Sequence, residues 1–310
     1  MANEILYAGV ADQRTAEILS GDYLMLIAAR DALPQHPALA YLGDLKGRGS
    51  NVIKIPHLGL MGYDLPSQTA DGAAVANTAL SDGSTTVTVA RYSKAYEQSD
   101  LAKFSDGLGV LDGSVWAADA AASHSLALTN AIANLVDGFA TTETETGVDF
   151  NLTKWLSAIG KLEVNVQSAI AEGQAMVVFH TQQVADLRTA IATLAGGALQ
   201  WYPPSQPQLT VAGAGYRGRF MGMDIFASGY VPTANAGADR AGGMFVRGAI
   251  CWADMGVAGE SNADQLVIGG KVLFERDRTA KAAATAYVSH SYFGVSEGID
   301  LLGVTVVSDA

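Results

Sequence analysis

Apolar positions recur at three- and four-residue steps in three stretches of this chain and at two-residue steps in several others. Leu152, Trp155, Ile159, Leu162, Val166 and Ile170 make one helical stripe, opened by Asn151 as N-cap and stopped by Gly173. Ala118, Ala121, Ser125, Leu128, Ile132 and Leu135 make another. Residues 114–137 therefore read as a helix of about 36 Å, ended by Gly138 and packed closely through its alanines. The third stripe is Val184, Leu187, Ile191 and Leu194, with Thr181 as cap and Gly196 as stop, directly after the apolar strand at 175–180.

Extended chain surrounds these helices. The run NVIKIP at 51–56 is followed by a Gly/Ala/Asp/Ser stretch at 59–84 and then by residues 85–100. There Val87, Val89 and Arg91 alternate with Thr86, Thr88 and Ala90, a period of two that puts the sets on opposite faces of a strand. The two runs read as legs of a long hairpin. With about 20 residues per leg it spans up to about 65 Å, and a two-stranded element of that kind is marginal alone in water. It needs a neighbour's surface.

Residues 201–208, WYPPSQPQ, form a loop because their prolines lack donors and fix φ. Strands are predicted at 217–228, 245–253, 265–274, 285–295 and 301–307. Residues 1–50 combine a helix around 15–33 with Pro34, Pro37 and the glycine-rich run at 43–50. That segment has little means of closing a core, so it reads as an arm that packs on something else, with another copy as a candidate partner.

At 310 residues and 49% hydrophobic, the chain can bury a core as one large domain or two modest ones, and no composition shift marks a boundary. Its 19 basic against 31 acidic side chains, a formal −12, leave no chain-wide positive field for a phosphate backbone. Cys251 is the only cysteine, which excludes an internal disulfide or a thiolate-rich metal cluster and fits a cytoplasmic site of synthesis. The early apolar run at 23–29 is far shorter than the roughly 20 residues a membrane span needs, and no export signal or membrane partner is expected.

Candidate chemistry is sparse. Gly213, Gly215 and Gly218 match the glycine fingerprint of a dinucleotide turn, and Asp239 follows Gly218 by 21 residues (239 − 218). That use requires a helix at the third glycine, whereas RFMGMDIFAS is strand-like, so a glycine-rich turn between strands is the better reading. A nucleotide-dependent soluble enzyme using Gly213–Gly218 stands as the alternative. His36, His57, His124, His180 and His290 have no spacing that places two on one helix face. TETETG at 142–147 reads as a solvated turn, and Lys271, Arg276, Arg278 and Lys281 as a solvated strand end. No catalytic, cofactor-binding or metal residue is assigned.

GYRGRFMGMDIFASGYVP at 215–232, GGMFVRGAICWA at 242–253 and AYEQSD at 95–100, in the order of elements above, resemble the major capsid proteins of tailed phages. That family has the α+β Hong Kong 97-type fold, which encapsulin compartments share. The resemblance implies an N-terminal arm at 1–50 and an extended E-loop hairpin at 51–97. It implies a P-domain at 98–174, with the spine helix at 114–137 and a second helix at 151–172. An A-domain at 175–264 and P-domain return strands at 265–310 complete it. The implied function is structural: copies assemble as hexamers and pentamers, through E-loop and arm contacts, into an icosahedral phage head around double-stranded DNA. Portal and scaffold or decoration proteins are the implied partners, and the virion is the implied location. An encapsulin-like cellular compartment is the alternative with the same fold. Lys54 and Lys94 lie in the hairpin legs, but nothing local marks an activated amine, so no cross-link is assigned.

Overall fold

The computed structural model describes residues 33–58, 82–105, 113–166, 170, 173–193, 201–205, 215–257, 265–268 and 271–309. The helix expected around residues 15–33 and the hairpin tip lie outside them, apart from Leu33. The described chain runs through β1 (Ala40–Asp44), then β2 (Val52–Leu58) and β3 (Asp82–Thr88), which among the described residues pair only with each other, from Val52 opposite Thr88 to Leu58 opposite Asp82. β4 (Ala90–Ser99) leads into a short helix α1 (Asp100–Ser105) and the long helix α2 (Gly113–Ala133). Next come β5 (Thr142–Asp149), α3 (Leu152–Val166), β6 (Ala175–Phe179) and α4 (Thr181–Ala192). The rest is strand: β7 (Tyr216–Phe220), β8 (Met223–Ala227), β9 (Thr233–Ala234), β10 (Asp239–Val246), β11 (Ile250–Asp254), β12 (Gln265–Ile268), β13 (Val272–Thr279), β14 (Ala284–Glu297) and β15 (Gly303–Asp309).

Two larger sheets carry the body. One has seven strands in the order β5-β15-β10-β6-β8-β7, with β9 on β10; the other has six, β1-β11-β14-β13-β12, with β4 also on β14. The sheets exchange strands: β11 follows β10 in sequence but pairs β14, and β15 follows β14 but pairs β10. The seven-stranded sheet has helices on both faces. On one face Trp155 and Leu162 of α3 and Val184 and Leu187 of α4 pack on Val177, Ile225, Met244 and Val306. On the other, Leu128 and Ile132 of α2 join Val178, Phe226 and Phe245, and that cluster continues to Ile250, Trp252 and Phe293 of the six-stranded sheet. One residue in two along β6 therefore serves each core, the period-two signature of a doubly covered strand.

The α3 stripe forms from Leu152 to Val166 with its expected cap, the Lys154 N–H donating to Asn151 Oδ1 at 3.1 Å, but it stops short of the expected end, since Ile170 is not helical and residues 167–169 and 171–172 lie outside the described residues. α2 ends at Ala133 and the chain turns through Asp137, short of the expected helical end. The cap of α4 is His180, one residue before Thr181: its Nδ1 accepts from the Gln182 N–H at 3.3 Å while Gln183 Oε1 accepts from the His180 N–H at 3.0 Å. The predicted strands 217–228, 245–253 and 265–274 each divide into two. Met221 and Gly222 turn at φ 48° and 81°, and Gly248 at φ 99°, inside runs whose apolar side chains read as continuous. TETETG belongs to β5, not to a turn; its threonines alternate with glutamates at strand period, and Thr142 and Thr144 register with Thr305 and Val307. Residues 33–45 of the expected arm pack on the chain's own body, with Leu33, Ala38 and Leu39 in the core beside α2.

Trp155 is the largest fully buried side chain, edge-on to Phe150, Phe179 and Phe220 with ring centroids 5.2–6.4 Å apart. Trp155→Ala should lower the unfolding free energy by about 3–5 kcal/mol in a denaturant titration, since its neighbours are anchored in strands and cannot collapse into the gap. A midpoint equal to wild type would show that this stripe carries no core.

Candidate assembly interface

The paired hairpin legs are seven residues each, shorter than the sequence suggests, because β4 belongs to the body and the turn segment 59–81 lies outside the described residues. β4 pairs β14 over ten residues, from Ser99 opposite Ala284 to Ala90 opposite Phe293. The chain then kinks at Val89, whose N–H donates to the Asn51 carbonyl at 2.8 Å. The kink shifts the strand's phase, so Arg91 is exposed while Val87 and Val89 are buried, against the alternation predicted for the three.

Past the kink, β3 lies across the six-stranded sheet. Val87 and Val89 pack on Leu45, Cys251 and Ala253, with Ile53 and Ile55 of β2 beside them. Thr85 Oγ1 donates to the Gly298 carbonyl at 3.0 Å. The crossing is close enough to require glycine beneath it, since a Cβ at Gly294 would stand 2.2 Å from the Thr88 oxygen. The body thus holds the hairpin at its base. On the hairpin's other face, Val52, Lys54 and Pro56 on β2 and Ser84 on β3 face solvent.

Polar knots fix the surfaces around this base. Beneath α2, the buried ring of His124 shares hydrogen bonds with Ser291 Oγ at 2.7 Å and Ser289 Oγ at 2.9 Å, both on β14. Lys94 of β4 reaches Asp119 at 2.5 Å and Ser123 Oγ at 2.6 Å on the same helix. His290 lies between Ser93 and Glu275 at 2.7 and 3.2 Å. Burial, the neighbouring His290 and then Lys94 hold the His124 imidazole neutral, with its pKa down to about 4, against a smaller opposing contribution from Ser289.

The second knot ties the N-terminal residues to the other sheet. Asp224 of β8 accepts from Arg219 Nε at 2.9 Å and Nη2 at 3.0 Å and from the Tyr216 hydroxyl at 2.9 Å, and pairs with His36 Nε2 at 3.1 Å. Burial alone would raise its carboxyl, but the His36, Arg219 and Tyr216 contacts outweigh that and hold it well below the usual carboxylate range. The Tyr216 hydroxyl is pushed up to about 12 by burial and by Asp224. A third contact is the fully buried Gln183, whose Nε2 donates to the Arg240 carbonyl at 3.1 Å and to Ser308 Oγ at 2.8 Å, stapling α4 across β10 and β15.

The residues weighed for chemistry scatter. His36, His124, His180 and His290 have the separate roles just given, the His57 side chain is outside the described residues, and no metal-ligating group of three or more occurs among the described residues. The glycine fingerprint fails on geometry: Gly213 lies outside the described residues, and Gly218 sits inside β7 at φ 111°, where a Cβ would stand 2.2 Å from the Tyr202 carbonyl, so its close approach is to the Tyr202 backbone and no helix begins there. Glu143 pairs with Lys161 at 2.6 Å, and Arg278 with Asp100 at 2.6 Å, as solvated ion pairs. Nothing local in the sequence marks the Asp224 knot, whose members come from positions 36, 216, 219 and 224.

No family model and no curated protein matches the sequence. Solved structures do. A capsid chain of the cyanophage P-SCSP1u superposes with a TM-score of 0.58 over 88% of this chain and 87% of its own, at 11% identity. The capsid chain of a native GTA particle gives 0.58 over 91% of each chain at 12% identity. The SrpI encapsulin of Synechococcus elongatus gives 0.53 over 86% and 84% at 11% identity. The chain has the Hong Kong 97-type capsid fold. The β2–β3 hairpin, the long α2, then α3, β6, α4 and the later strands come in the order expected from the sequence.

The His124 seam gives this surface a pH dependence. Above about pH 6.5 both folded and unfolded chains hold a neutral ring; below it the unfolded chain takes up a proton that the buried ring refuses until about pH 4. Stability is therefore lost as pH falls through that window. Between pH 7 and 4.5 the wild-type unfolding free energy should fall by about 2 kcal/mol more than that of His124→Asn. Parallel pH profiles for the two chains would remove the seam's role.

Proposed function

We propose that this chain is the major capsid protein of a tailed phage, assembling as hexamers and pentamers into an icosahedral head around double-stranded DNA. The observation that carries the reading is fold likeness over about nine-tenths of the chain to capsid subunits, at TM-scores near 0.58. The role is mechanical and its partners are further copies of itself. In this reading the β2–β3 hairpin with residues 59–81 is the E-loop, residues ahead of Leu33 form the arm, and α2 is the spine helix.

The physics of the hairpin supports assembly. A two-stranded sheet with half its side chains in water is marginal by itself, so it gains stability when laid on a neighbour. A subunit that both gives and receives such contacts closes a lattice in which modest interfaces act together. The formal charge of −12 suits a wall past which packaged DNA slides without adhering. Portal, scaffold or decoration proteins belong to this reading as further partners. The encapsulin likeness supports a cellular compartment as a second reading, and the two separate by contents, nucleic acid or an enzyme cargo.

Deleting residues 60–80 joins Leu58 to Asp82 through Gly59 and Ser81, a two-residue connection suited to a tight hairpin turn with glycine first. The variant should keep the wild-type circular dichroism spectrum and form no closed particles by negative-stain microscopy. Normal particles from it would overturn the E-loop assignment, and a wild-type chain that stays monomeric would overturn the shell.

A further inference from the structure

At one corner of the seven-stranded sheet carboxylates stand in a row across three neighbouring strands. Ladder register places Asp149 of β5 beside Asp309 of β15, and Asp309 opposite Asp239 of β10. Directly opposed residues of an antiparallel pair hold their Cβ atoms about 5 Å apart on one face, and like charges so placed repel. Asp239 is 1% exposed. Its Oδ2 accepts from the Asn235 side-chain amide, whereas its Oδ1 is buried and meets no hydrogen-bond partner among the described residues. Arg240 follows on β10 but projects to the other face by the strand's period of two, where its charge acts on His180. No base pairs with Asp239 among the described residues. On α4 nearby, burial raises the Asp186 carboxyl, and Asp149 and Asp309 add to that against the hydrogen bond from Gln182, so the corner's negative charge is felt on the helix as well.

We infer that Asp239 and Asp309 hold a calcium ion at this corner, its shell completed by backbone carbonyls of the turn between β9 and β10 and by water. A buried carboxylate oxygen without a donor is costly, and a second carboxylate opposite raises that cost, so the fold needs a balancing positive charge there. A lysine from outside the chain cannot reach a side chain that is 1% exposed, but a bare ion can be enclosed beside it. Asp309 is only half-buried and gives the ion its way in. The available donors are oxygens, which selects a hard cation over zinc or copper. Asn235, Ala236 and Gly237 follow one another at φ 50°, 57° and 96°, so the turn presents its carbonyls in an irregular array. Calcium accepts an irregular oxygen shell at about 2.3–2.6 Å, whereas magnesium demands a near-octahedral one at about 2.0–2.1 Å. The ion ties the turn after β9 to the end of β15. The site belongs to the single folded subunit and does not rest on the shell reading.

The full-length dispersed chain, stripped with EDTA and dialysed, tests this by calorimetric titration with calcium chloride and by thermal melts with and without the ion. One saturable site per chain is expected, with a Kd of about 0.1–1 mM as befits few charged ligands, and the melting midpoint should climb with calcium until the site fills. Magnesium should bind about tenfold or more weakly. Asp239→Asn should abolish both the saturable heat and the calcium-dependent rise, and Asp309→Asn should weaken binding by about tenfold or more. Without calcium, Asp239→Asn should melt no lower than wild type, because it removes a charge that nothing then balances. A lower midpoint there would show the carboxylate already balanced and overturn the inference. So would a wild-type chain without saturable binding, variants that bind as wild type does, or magnesium binding as tightly as calcium. A wild-type midpoint unmoved by calcium that rises as the pH is lowered from about 7 to 5, and rises less in Asp239→Asn, assigns the corner a shared proton and removes the ion. Should Asp239→Asn fail to fold, Asp309→Asn carries the test alone. Because no particle is formed in these measurements, their failure leaves the shell reading standing.

Discussion

The crossing of β3 over β14 is the contact on which the rest of this architecture depends. β14 holds β4, β13 and β11 through its ladders and receives α2 through His124, so it is where the body is assembled. At Phe293 the β4 ladder ends, and one residue later the missing side chain of Gly294 lets the Thr88 backbone pass over the sheet at van der Waals range. The kink at Val89 turns a body strand into a free-standing hairpin leg within two residues. Burial of Val87 and Val89 fixes the angle of departure, because both must reach Cys251 and Ala253 beneath.

Polar contacts, more than additional apolar area, set how the elements surrounding that crossing are oriented. α2 meets β14 and β4 through histidine, serine, lysine and aspartate, the Asp224 knot holds residues 33–39 to the seven-stranded sheet, and Gln183 joins three strand and helix groups at once. Each of these is satisfied by several partners, and a satisfied buried polar group specifies geometry more narrowly than an apolar contact does. A subunit whose appendages are to meet neighbours needs such fixed launching angles.

Much of the fold was legible from residue patterns. The stripe from Leu152 with its Asn151 cap, the apolar β6 and the polar alternation of the hairpin legs all encode local structure within a few residues, where periodicity is strong. The strand boundaries were not, because Met221 adopts positive φ in an apolar run and Gly248 turns a stretch that reads as continuous. Thr142–Gly147 looked like a solvated turn because it has two glutamates and no apolar residue, yet Thr142 to Thr144 pair with the final strand. The Asp224 knot draws residues from more than a hundred positions apart, and single-sequence patterns carry no signal for such a meeting. The order of elements carried the family resemblance, since identity to the structural neighbours is only 8–14%.

Hydrogen exchange on the β2 and β3 amides, compared between dispersed subunits and assembled particles, tests the central claim most directly. The account predicts that Thr85 to Val89, held against the body, exchange slowly in both states, while the outer pairs near Leu58 and Asp82 exchange fast in the subunit and become protected on assembly. Slow exchange along the whole hairpin in dispersed subunits, unchanged by assembly, would contradict it.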